Sequence, residues 1–150
     1  MRHFSVPNVA IGAVLLLNAV ACGSTATGPG IGLITARARW AQQAPAAYSM
    51  TMSRSCECLP EMSGPVVVLV RNGVVESRRY VASGAEVSAA YAALFPTVDE
   101  LFATIDAAVR SGVRPLAVQY DATLGYPTRV AIGDPAVDAP VTVISSLEAR

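Results

Sequence analysis

Lysine does not occur in this chain of 150 residues, and the single histidine is His3, in its first turn of sequence. Each absence removes a class of chemistry. A segment after His3 has no imidazole, so it cannot build a Ser-His-Asp or Cys-His catalytic set or a His-ligated zinc site. No excess of charge is present either, with 11 basic residues, all Arg, against 11 acidic ones. Net charge therefore favours neither nucleic acid nor an anionic lipid surface. Long apolar runs are missing too. Val9 to Leu17 is broken by Gly12 and is shorter than the ~20 residues that cross a bilayer. The length suits one domain rather than two.

What the front end does contain is a secretory layout. A basic start, Met1-Arg2-His3, precedes the apolar run, and Ala19-Val20-Ala21 supplies small residues ahead of Cys22. This ending resembles the lipobox of bacterial lipoproteins, with Ala19 standing where that motif usually has Leu. The resemblance implies a signal peptide over 1–21 and lipid attachment at Cys22; the alternative is an ordinary signal peptide cut near Ala21. Gly23 to Gly32 is small, polar and aperiodic, so 22–33 reads as lipidated Cys plus flexible tether. Such a tether spans on the order of 17 Å.

The remainder, 34–150, reads as a single α+β domain. Ile34 to Ala44 is expected to be helical, with Thr35 as a cap, Trp40 as its core anchor and Pro45 as its stop. Tyr48, Met50 and Met52 alternate with polar residues and share one face of a strand. Val66 to Val70 predicts a buried strand, turned by Asn72-Gly73 into a partner that runs to Tyr80-Val81. Arg78 and Arg79 read as an exposed charged stretch before they read as an anion site. Ser83 to Phe95 serves as a connection. Thr97-Val-Asp-Glu100 matches a capping box, and Val98, Leu101, Phe102, Ile105 and Val109 follow helical spacing up to Ser111-Gly112.

A second hairpin is expected over Ala117 to Asp134, folded at Leu124-Gly125. Asp121 is placed to accept turn N–H groups, Gly125 to take positive φ, and Tyr126-Pro127 to start the returning strand. Val141 to Ile144 predicts the last strand. Asp121, Asp134 and Asp138 are the acids near this half, and their spacing matches no calcium loop, so they read as turn caps. The order of elements suggests a doubled helix-plus-three-strand unit. Its strands would form one antiparallel sheet covered on one face by two helices, with the other face solvated or available to a partner.

Cys56-Glu-Cys58 sits at the end of the first strand. On a flat strand its Cα atoms would lie ~6.6 Å apart, so a disulfide requires a bend there. With Met50, Met52 and Met62 nearby, the pair reads as a disulfide or as a soft-metal candidate for Cu(I).

Together, Trp40, Tyr48, Cys56-x-Cys58, Asn72-Gly73, Thr97 to Phe102, and Tyr120-Asp121 with Gly125-Tyr-Pro127 resemble a family of small bacterial lipoproteins, domain of unknown function 6174. The resemblance covers about Trp40 to Leu147. It implies a cell-envelope location, facing the periplasm or the cell exterior, and carries no activity or catalytic residue. The expectation is a non-enzymatic, lipid-anchored, protein-binding module with an envelope protein as partner, without cofactor, metal or nucleic acid. The alternative is a thiol-redox or Cu(I)-handling protein using Cys56 and Cys58.

Overall fold

The computed structural model describes residues 29–150. The expected signal segment and Cys22 lie outside the described residues. The chain runs α1 (Pro29–Gln43), β1 (Ala47–Ser55), α2 (Pro60–Ser63), β2 (Val66–Arg71), β3 (Val74–Tyr80), α3 (Val98–Arg110), β4 (Leu116–Tyr120), β5 (Pro127–Ile132) and β6 (Val141–Ala149). Short 3-10 turns occupy Ala92–Leu94 and Pro135–Val137. This is an α+β fold with one six-stranded antiparallel sheet in the order β3-β2-β1-β6-β5-β4. The helix-and-three-strand order does occur twice. The two meanders meet through the first strand of one and the last of the other, β1 against β6, so β1 and β6 hold the centre.

Register sorts the strand residues. Tyr48, Met50 and Met52 face the helices, opposite Val70, Val68 and Val66 on β2 and opposite Leu147 and Ile144 on β6. They form the core with Leu33, Ala36 and Trp40 of α1 and with Val98, Leu101, Phe102 and Ile105 of α3. The capping box at Thr97 is complete: Glu100 N–H donates to Thr97 Oγ1 at 3.2 Å, and Thr97 N–H donates to Glu100 Oε2 at 2.7 Å. Val98 N–H also donates to the buried Tyr48 hydroxyl at 3.3 Å, fixing the start of α3 over β1.

Helix α1 begins earlier than expected and takes in the end of the segment read as tether. Leu33 lies on the same helical face as Ala36 and Trp40 and is buried with them, so core contact extends the helix where composition predicts a coil. Pro29 suits a first helical turn, where an N–H has no partner in any case. Thr35 is consequently inside the helix and exposed, not its cap. Strand β6 is also longer than expected. Its register against β1 shifts between Thr51 and Met52, and Ser145 at this irregularity interrupts the apolar pattern before Leu147 rejoins the core face.

The connection after β3 does structural work. Tyr80 N–H donates to Ala85 O at 3.0 Å and Val87 N–H to Arg78 O at 2.8 Å, which covers part of the β3 edge. Its Phe95 is fully buried, edge-on to Tyr80 with centroids 6.5 Å apart.

Candidate functional site

With both long helices on one side, the other side of the sheet has no covering layer among the described residues. Alternation puts Thr51 and Ser53 of β1, Val67 and Leu69 of β2, and Val143 of β6 on this open face, all half-buried by their neighbours. Ser49 beside them is buried. The centre is thus small, uncharged and β-branched. Four arginines stand around it: Arg71 and Arg79 on the β2–β3 side, Arg129 on β5 and Arg150 beyond β6. Three have acidic partners, Glu76 at 2.6 Å, Glu86 at 3.0 Å and Glu148 at 3.5 Å respectively for Arg71, Arg79 and Arg150. Arg129 is exposed, opposite Val143, with no carboxylate partner among the described residues.

The Cys56–Cys58 disulfide is formed at one end of this face, across a bend that brings the Cα atoms to 5.3 Å. The loop is held from outside. Glu57 N–H donates to Asp138 Oδ1 at 2.8 Å, and Cys58 Sγ lies 3.3 Å from Ser63 Oγ. Leu59 and Val137 flank it, 57% and 77% exposed. The soft-metal set is not assembled: both cysteine sulfurs are bonded to each other. Met50 and Met52 are 1% and 0% exposed within the core. Among the described residues no cluster of three His, Cys, Asp or Glu side chains is placed to hold a metal ion.

Asp121 and Asp134 cap their own turns as expected, whereas Asp138 reaches across to the disulfide bend instead. Asp121 Oδ1 accepts from Thr123 N–H at 2.9 Å and from Leu124 N–H at 2.6 Å. Asp134 Oδ1 accepts from Ala136 N–H at 2.9 Å, and Asp138, in the left-handed region, holds the disulfide loop. The Asp121 turn is also a tertiary contact. Gly125 has φ +84°, and a Cβ there would collide with the Ala36 carbonyl oxygen and lie 3.1 Å from Arg39 Cβ. Arg39 donates to Ala122 O at 2.8 Å, and Tyr126 meets Trp40 edge-on, so Tyr126-Pro127 docks the hairpin on α1. Asn72-Gly73 is a local turn instead, with φ +49° and +77° and open space around Gly73.

Arg78 departs from the exposed reading. It faces the helix side, and its Nε donates to Phe95 O at 2.8 Å. The Tyr48 and Tyr120 phenols are pushed up to about 12, in both by burial. Tyr120 stacks on Phe102 at 6.2 Å, and its hydroxyl is buried without a hydrogen-bond partner among the described residues. Sequence gives no sign of the arginine rim of this face, because the face is built from five separate strands.

No helix among the described residues is long and apolar enough to cross a membrane. No curated protein and no solved structure matches the chain. The sequence profile of the Family of unknown function (DUF6174) matches residues 32–146. That span takes in α3 and all but the first turn of α1, the Cys-x-Cys bend and the Asp121 turn, and the chain belongs to this family.

Proposed function

We propose that this is a lipid-anchored, non-enzymatic module of the bacterial cell envelope whose open sheet face binds an envelope protein bearing acidic side chains. The observation that carries the reading is the face itself. A half-buried, uncharged centre with arginines at its rim, one of them without a carboxylate partner among the described residues, fits a surface that loses its remaining water to a partner. Arginine at such a rim suits carboxylates, which it meets bidentately. The disulfide agrees with an oxidising compartment. The aspartates that would supply acid–base chemistry already accept backbone N–H groups, which favours binding over catalysis.

The anchor rests on Cys22 and is tested by mass spectrometry of the mature protein with membrane fractionation. Wild type is expected to carry diacylglycerol on Cys22 and to sediment with membranes, and Cys22→Ser to be released. A mature wild-type chain without lipid would remove the anchor from this account. The thiol-redox or copper alternative makes an opposite prediction. It requires stoichiometric Cu(I) binding that is lost in the Cys56→Ser/Cys58→Ser double variant, and we expect none.

A further inference from the structure

On the opposite, helix-covered side, the end of β1 carries an arginine into the layer between sheet and helices. Arg54 pairs with Thr142 on β6, and Thr142 pairs with the buried Val130 on β5, so all three face the helix side. A half-open pocket of about 200 Å³ lies against them, bordered by Leu94 of the 3-10 turn and by Leu101 and the exposed Thr104 of α3. Most of its remaining lining is apolar, and Arg54 is the one ionisable side chain in it.

Arg54 is one of six described arginines with no carboxylate in range, beside Arg37, Arg39, Arg78, Arg114 and Arg129, and the one of them that lines this pocket. Its Nη1 donates to the Met62 carbonyl at 3.3 Å, the one hydrogen bond its side chain makes among the described residues. Five donors in a fixed fork are available to a guanidinium, so most remain unspent. Burial holds its pKa below the usual arginine value, the mark of a cation that has lost water and gained no counter-charge.

The geometry points to a binding site for a small carboxylate carried on a compact apolar body, its carboxylate on Arg54 and its body among Leu94, Leu101 and Val130. A single guanidinium suits a monoanion that it grips bidentately, whereas a phosphate dianion would call for further donors or charges. The Thr142 hydroxyl is the other polar group at hand, since that of Thr104 donates to Glu100 O at 2.9 Å. The cavity is smaller than the ~300–1,000 Å³ of sites for drug-sized ligands, which limits the body to a short branched chain or one ring. This site is on the other side of the sheet from the proposed protein-binding face and does not depend on it.

The test is titration of the full chain in zwitterionic detergent, followed by calorimetry and amide correlation spectra. Probes are benzoate and isovalerate, the neutral benzamide and isovaleramide, and the tripeptide Gly-Gly-Leu with a free or amidated C-terminus. The acids are expected to shift the amides of Arg54, Thr104, Val130 and Thr142 and to bind at least tenfold tighter than the amides. Arg54→Gln is expected to weaken the acids at least tenfold. Thr104→Phe keeps the charge but fills the cavity from an exposed helical position, and is expected to abolish binding; it decides the matter if Arg54→Gln does not fold. Tighter binding of free Gly-Gly-Leu than of isovalerate identifies a peptide end as the source of the carboxylate, and the reverse order identifies a free acid. Acids binding no better than amides, binding that survives both substitutions, or no binding at millimolar acid would each overturn the site.

Discussion

The two faces of the sheet are made by the same strands and differ in what lies over them. On the helix side, Met52, Val66, Val68 and Val70 lose all contact with solvent, and on the open side Val67, Leu69 and Val143 keep part of theirs. The covered face contributes stability, since apolar burial is worth roughly 25 cal/mol per Å². The open face contributes less than its composition allows, because half-buried valines and a leucine still meet water. A partner would gain that remainder. Stability and binding are therefore assigned to opposite sides of one sheet, and substitutions should separate them.

The largest effect is expected on the covered side. Trp40→Ala removes the ring that packs edge-on against Tyr48 and Tyr126, and should cost about 3–5 kcal/mol in chemical denaturation. A loss below ~1 kcal/mol would mean that α1 is not an integral part of the core. Next come two substitutions in the turn that docks on α1. Gly125→Val combines positive φ with a collision against Ala36, and should cost more than ~2 kcal/mol. Asp121→Ala leaves the Thr123 and Leu124 amides without their acceptor and should cost ~1 kcal/mol. Thermal unfolding of both variants checks the order, and an unchanged or raised midpoint for Asp121→Ala would make Asp121 a functional acid instead.

Alkaline pH probes the same side. The Tyr48 and Tyr120 phenols are raised from 10.0 to about 12 in the folded protein. Burial thus favours the neutral phenols, and their contribution is full below the unfolded value and lost as pH rises through the folded one. Denaturation midpoints should fall between pH 10 and 12, and Tyr120→Phe should shallow that fall. A midpoint flat over the range would show that these rings are wetter than their packing indicates. The smallest stability effect belongs to the open side. Arg129→Glu, at an exposed and unpaired position, should stay within ~0.5 kcal/mol of wild type. A larger loss would give Arg129 a structural role and weaken the division between the faces.

Much of the architecture was legible because its signals are local. The Thr97 capping box, the Asn72-Gly73 turn and the alternation of Tyr48, Met50 and Met52 each act over a few residues. The Asp121 turn was legible as a turn, but its docking on Ala36 was not, since nothing local distinguishes Gly125 from Gly73. The start of α1 was misread because Leu33 is helical through burial beside Trp40, in a stretch whose glycines read as coil. Arg78 read as surface because strand alternation does not say which face the helices will cover. That one face would stay open was legible, but which residues it carries was not, and neither was the Arg54 pocket. Both depend on β1 pairing with β6, a contact between the two ends of the domain.

The most direct test places a photo-crosslinking residue at Ser146, exposed on the open face, and separately at Ala103, exposed on α3, in the full chain in cells. The account predicts one discrete protein adduct from position 146, none from position 103, and loss of the former when Arg129→Glu is added. Equal adducts from both positions, an adduct from the helix alone, or an adduct indifferent to Arg129→Glu would contradict it.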